Sequence, residues 1–277
     1  MKTLFCDLDN TLLFLLENGS YGIKEKDLLA LKKVIHQQLQ LVIASGRPAE
    51  IKDAISSMIG DDVDAIGFNG QQIMTSSKNI VFASFPVKDY LKITDWMKEH
   101  YPQTNAGTTD FDGVYYVNDF SMHQPMQRFK DHYRAGIIRD ICELPSKEAF
   151  KNYGITEVAK LLIYIDPQTD SKPIISNLMQ HFGQDYDFIR SNKMFIEGLC
   201  KGHSKKTGIE AYIKMHNLDL NDCYCAGDAD NDIEMFELFK DRSFCMKAGS
   251  ENARNAAAVL VDDLAEAIEK ICKNGRE

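Results

Sequence analysis

The chain has 277 residues, 44% of them hydrophobic and 26% charged, which is the balance of a soluble globular protein with one large domain or two ordinary ones. Its net charge of −9 argues against a broad nucleic-acid or anionic-membrane surface, and no apolar run approaches the length of a membrane span. No secretory h-region follows Met1-Lys2, and the seven scattered cysteines form neither C-x-x-C nor a zinc spacing, so the expectation is a cytoplasmic protein with reduced, buried thiols.

Leu4-Phe5-Cys6 reads as a buried strand, and Asp7 and Asp9 follow it at a spacing that a regular strand would put on one face. Such a pair raises its own pKa values unless a cation, strong donors or a retained proton relieves it. Lys24 to Gln38 has helical periodicity, and Leu41 to Ala44 is a second strand ending in Ser45-Gly46-Arg47-Pro48. Pro48 suits the first position of a following helix, which would put Ser45 at an anion-binding helix N-terminus. Arg47 would there oppose the helix dipole, so it calls for an anionic partner. Asp64 to Phe68 is a third strand, Asn69-Gly70 a turn, and Gln71–Met74 with Asn79–Ala83 a hairpin.

The pattern changes after about Ala83. A helix over Val87–Tyr101 carries Trp96 among packing positions, and strands are expected at Phe111–Val117, Val158–Ile165, Tyr186–Ile189 and Met194–Ile196. A helix from Ser171 to Phe182 lies between them. Arg128, Lys130, His132 and Arg134 read as a solvated basic face, and His123 and His203 show no metal spacing. The α/β rhythm returns with a helix over Lys205–His216, capped by Ser204, in which Gly208 implies close packing. Cys223 to Ala226 is a strand ending in Gly227-Asp228-Ala229-Asp230-Asn231-Asp232. Phe244–Met246, Val259–Val261 and a helix over Asp263–Lys273 complete the chain. The expected fold is α/β, a Rossmann-like parallel-sheet core from 1–83 and 188–277 with an α+β domain inserted at 84–187.

The polar clusters fall at strand C-terminal ends or at the helix starts after them, which is where an open parallel sheet lines its ligand crevice. Asp7, Asp9, Asp228 and Asp232 against Lys205 leave an excess of negative charge, and all-oxygen ligands call for Mg²⁺. An EF-hand is excluded because Ile233 and Phe239 stand where its glycine and glutamate belong. Neither a dinucleotide-binding nor a P-loop glycine motif is present.

In this order the motifs resemble those of the haloacid dehalogenase-like phosphohydrolases, Cof-type subfamily, across the whole chain. Asp7-Leu8-Asp9-Asn10-Thr11 is similar to their D-x-D-x-T, Ser45 to the second motif, Lys205 to the third, and Gly227-Asp228-Ala229-Asp230-Asn231-Asp232 to G-D-x-x-N-D. Asn10 replaces a usual glycine and is among the residues best able to adopt a left-handed conformation.

The resemblance implies a cytoplasmic, Mg²⁺-dependent phosphatase for small phosphate esters, sugar phosphates first, that works through an aspartyl phosphate. It is expected to be a monomer or weak homodimer with no nucleic-acid or membrane partner. Asp7 would be the nucleophile and Asp9 the acid–base group, its backbone carbonyl ligating the metal beside the side chains of Asp7 and Asp228. Asp232 would bind the metal directly or through water. Lys205, Ser45 and the N–H groups of Leu8 and Gly46 would hold the phosphoryl oxygens, with Arg47, Asn69, Gly70 and Asn231 near the substrate. The inserted cap would close over the site and choose the substrate. Two other functions share these residues: a phosphotransferase such as a sugar-phosphate mutase, and a non-catalytic phosphate sensor.

Overall fold

The computed structural model describes the chain except residues 18, 36, 118–138, 144–146, 192–193 and 274–277. The basic run from Arg128 to Arg134 and His123 lie outside the described residues. Two compact units divide the chain, one of Met1–Ile80 with Ser204–Glu277 and one of Val81–His203.

The first unit is built on an eight-stranded sheet in the order Val259–Val261, Ser243–Met246, Cys223–Gly227, Lys2–Cys6, Leu39–Ala44, Asp64–Gly67, Gln72–Met74, Asn79–Val81. The first six strands are parallel, and Gln72–Met74 runs antiparallel to its neighbour. Leu4, Phe5 and Cys6 are fully buried, because a central parallel strand is covered on both faces. Phe5 enters one core with Val42, Ile66, Ile209, Cys225 and Phe236, stacked on Phe239 with ring centroids 5.6 Å apart. Strand order reverses at Lys2–Cys6: one neighbour comes from early in the chain and the other from late. The carboxyl end of that strand is therefore the switch point where such sheets bind ligands.

The helix expected from Pro48 begins instead at Ile51 and runs to Ile59. Ahead of it, Ile51 N–H donates to the Pro48 carbonyl at 3.2 Å and Lys52 N–H to that of Ala49 at 3.1 Å, a tighter turn than an α-helix makes. Tertiary packing sets this shape. Ala49 N–H donates to the Gln72 side chain at 3.1 Å, and its backbone lies so close to Gly67 that a β-carbon there would sit 2.4 Å from the Ala49 nitrogen.

The second unit has a six-stranded sheet in the order Asp140–Glu143, Val114–Val117, Asn105–Thr109, Lys160–Tyr164, Phe195–Cys200, Tyr186–Arg190. Helices Val87–His100 and Lys172–Phe182 bury Tyr90, Ile93, Ile174 and Leu178 in its core, with Trp96 packed at the margin. Asn105–Thr109 carries no strand signal of its own, and pairing on both sides with Val114–Val117 and Lys160–Tyr164 makes it one. The sequence boundary at 187 falls inside the Tyr186–Arg190 strand. That strand pairs with Phe195–Cys200, so both strands lie in this sheet, and the second unit runs on to His203.

The seven cysteines are unpaired thiols, five of them buried. Burial pushes the Cys223 and Cys245 thiols up to about 11, so they stay protonated at neutral pH. No described helix is long and apolar enough to cross a membrane.

Candidate active site

Asp7 is the first residue after the central strand, held by its N–H donating to the Ala226 carbonyl at 2.8 Å. The chain then doubles back on itself. The Leu8 carbonyl accepts from the N–H groups of Thr11, Leu12 and Leu13, and Asn10 takes the left-handed conformation at φ 61°. This turn separates the two carboxylates that a straight strand would align. Asp7 faces Lys205, while Asp9 is gripped by Arg47, whose Nε and terminal nitrogen donate to its two oxygens at 2.8 and 2.6 Å. Arg47 has an anionic partner in Asp9, but not for the reason its sequence position suggested: the helix begins at Ile51, so Arg47 and Ser45 lie in the loop ahead of it and not at its N-terminus.

Lys205 is the first residue of the Lys205–His216 helix. Ser204 caps that helix through a reciprocal box with Thr207, at 2.9 Å for Ser204 N–H to Thr207 Oγ1. Its ammonium is fully buried and donates to Asp7 and, at 2.6 Å, to Asp232 Oδ1. The other Asp232 oxygen accepts from the N–H groups of Asp228 and Ala229, both at 2.9 Å. Gly227 makes this fold-back possible, because a β-carbon there would lie 2.5 Å from the Asp232 carboxyl carbon. Asp228 is half-buried and accepts from the Thr11 hydroxyl at 3.4 Å.

Ser45 is buried at the end of its strand, with its hydroxyl oxygen accepting from Arg47 N–H at 3.1 Å. A neighbouring turn pins this loop: Phe68 N–H donates to the Arg47 carbonyl at 2.9 Å and Asn69 N–H to that of Ser45 at 3.0 Å. Phe68, Asn69 and Gly70 are all left-handed, at φ 50°, 51° and 98°. Two such non-glycine residues in a row store strain of the kind that clusters at functional sites. The Asn69 amide lies over Gly46, its oxygen buried without a hydrogen-bond partner. Gly70 lies against the start of the Lys205 helix, where its β-carbon would meet the Ser204 carbonyl at 2.2 Å. Gly208 approaches Gly70 from the helix side, so the close packing expected there is present. Asn231 is exposed, unlike Asp232 next to it.

Two contributions went unread in the sequence. Thr11 was visible only as the last letter of D-x-D-x-T. Ser250 had no signal, yet its N–H donates to the Asp228 carbonyl at 2.8 Å and its hydroxyl to Asp230 Oδ1 at 2.5 Å.

The electrostatics are unbalanced. Burial pushes the Asp7 carboxyl well above the usual range against the pull of Lys205, with Asp232 and Asp228 adding to the rise. Burial and then Asp232 raise Asp228 to about 6. Burial alone would lower Lys205, but Asp232 and Asp7 override it and the net shift is upward. Asp7, Asp228 and Asp232 can place one oxygen each within 4.8 Å of one another, an all-oxygen donor set. Carboxylates held this close, with the Asp7 and Asp228 groups pushed upward by burial and by Asp232, fit a hard divalent cation.

The haloacid dehalogenase-like hydrolase family model matches residues 4–268, and the chain belongs to that family. It is 25% identical over 250 residues to a Streptococcus pyogenes protein provisionally named a phosphatase, covering 86% of this chain and 84% of that one. It is 22% identical over 232 residues to the HMP-PP phosphatase of Serratia proteamaculans, covering 83% and 78%. The fold matches a solved sugar phosphatase of haloacid dehalogenase subclass IIB with a TM-score of 0.76, at 19% identity over 98% of both chains.

Proposed function

We propose that the protein is a Mg²⁺-dependent phosphatase that hydrolyses small phosphate monoesters, sugar phosphates first, through an aspartyl phosphate on Asp7. One observation carries this reading: a buried lysine joins Asp7 to Asp232, with Asp228 within reach, at the carboxyl end of the central strand. Asp7 attacks phosphorus in line, and the bond from phosphorus to the ester oxygen breaks. Asp9, held as a carboxylate by Arg47 in the resting site, takes up a proton from water as it leaves that pair, gives it to the departing alkoxide, then takes one from the water that attacks the aspartyl phosphate. The Ser45 hydroxyl, Lys205 and the N–H groups of Leu8 and Gly46 donate to the phosphoryl oxygens as charge builds on them. Asp7, Asp228 and the Asp9 carbonyl would hold the cation. Mg²⁺ there would keep Asp7 ionised and shield it from the incoming anion. Both Asp232 oxygens already accept from Lys205 and two backbone N–H groups, which favours a role through water and Lys205 over direct ligation. Arg47, Asn69, Gly70 and Asn231 belong to the substrate side, and the unit Val81–His203 would select the leaving group.

Kinetics of Asp9→Ala on a hexose phosphate and on p-nitrophenyl phosphate test the assignment. The sugar alkoxide needs the acid and should lose about 10²–10⁴-fold. Nitrophenolate leaves without a proton, so its first step should survive and give a burst as aspartyl phosphate accumulates. Equal losses with no burst would move the acid–base role away from Asp9.

A further inference from the structure

Arg47 and Asp9 make a tighter pair than a loose substrate-facing arginine would. Both carboxylate oxygens are taken, at 2.8 and 2.6 Å, by a guanidinium whose side chain is only 11% exposed. This is the bidentate geometry in which arginine holds a carboxylate most firmly. The carboxyl group that must face a leaving oxygen therefore has both its edges turned to the Ser45–Arg47 loop. The two cations of the site differ in what can be taken from them. Lys205 is fully buried between two carboxylates that are themselves nearly or fully buried, at 9% and 0%. The partner of Arg47 is an Asp9 side chain that is 41% exposed and can turn to solvent. An arriving phosphoryl group brings oxygens with the same fork-matching geometry to the loop that carries Arg47.

We propose that Arg47 is a latch on Asp9: it holds the carboxylate while no phosphoryl group is bound, and the substrate's phosphoryl oxygens take over the guanidinium and release Asp9 toward the leaving group. Arg47 is thus a positioning residue that makes the acid–base group available only when an anion occupies the loop. The proposal rests on reading Asp9 as that group. No bond is made or broken in the exchange; one anion replaces another on the same cation.

A structure with Mg²⁺ and beryllium fluoride, which mimics a phosphoryl group on Asp7, reads the exchange directly. Arg47 should donate to the fluorides, with the two-point contact to Asp9 broken. A bound mimic beside an intact Arg47–Asp9 pair overturns the latch. Arg47→Met reads it in kinetics. KM should rise roughly tenfold or more on both esters, as expected for loss of a charge-assisted hydrogen bond. The ratio of kcat on hexose phosphate to kcat on p-nitrophenyl phosphate should hold or increase, because Asp9 is no longer restrained. Arg47→Lys should restore part of KM. A ratio that falls tenfold means that Arg47 aligns Asp9 for chemistry instead of holding it back. An unchanged KM with a lower Tm means a structural pair. Both overturn the proposal. Equal losses in Asp9→Ala on the two esters would instead remove the acid–base reading itself.

Discussion

Asp7→Asn keeps the size of the side chain and an acceptor for Lys205, so the variant should fold with a melting temperature close to that of the parent. Turnover should drop about 10³-fold or more, as when a nucleophile is removed. Phosphate-release assays beside thermal melts check this; near-parental turnover would require another nucleophile. The pH dependence follows from Asp228. In the fold it keeps its proton up to about pH 6, whereas an unfolded carboxyl loses it at about pH 4. Between those values the unfolded chain binds fewer protons, so the metal-free protein should lose stability as pH rises from about 4 to about 6. The raised Asp7 acts in the same direction. Cations bind the ionised carboxylates, so the gain in Tm from Mg²⁺ should be small at about pH 4.5 and large at about pH 7. Melts across that range with and without Mg²⁺ measure both slopes, and a Mg²⁺ gain independent of pH would contradict the cluster as metal site. The cluster of Asp7, Asp228, Asp232 and Lys205 was legible because it follows from residue type and place. The Arg47–Asp9 pairing was not, because it depends on the Leu8–Leu13 turn, after which Asp9 and Asp7 have different partners.

The Lys205–His216 helix shows how an element delivers a site residue. Its start was readable from Ser204, whose capping is a local interaction, and its close packing from Gly208. The Ile51–Ile59 helix was misplaced by three residues, because Gly67 and Gln72, distant in sequence, take the preceding turn for themselves. The strand Asn105–Thr109 was missed for a similar reason, since only its neighbours make it a strand. Gly208→Ala tests the element scale. Its methyl would meet the Gly70 α-carbon and the Ile66 side chain at 2.6 Å, so the helix must shift. Overpacking of this kind costs about 1–3 kcal/mol. The variant should melt earlier and turn over more slowly, because Lys205 moves with the helix. Denaturant unfolding and kcat together check it, and full kcat with lowered stability would show that Lys205 tolerates the shift.

Over the whole molecule, the family and the α/β core were legible from motifs in order, since three of them follow strands of one parallel sheet and the fourth, Lys205, opens a helix of the same unit. The end of the insertion was not, because Tyr186–Arg190 and Phe195–Cys200 join their sheet through pairings that no local pattern announces. The two-unit division has its own test. Limited proteolysis should cut at 82–84 and 201–204, between elements, before it cuts at 187, which lies within a paired strand. Early cleavage at 187 with both of those segments spared would contradict the division. The most direct measurement of the central claim is phosphate release by the purified protein from a panel of small phosphate esters, with Mg²⁺ and after chelation, beside Asp7→Asn. The account predicts release from at least one sugar phosphate that needs Mg²⁺ and Asp7 alike; release that survives both thorough chelation and Asp7→Asn would contradict it.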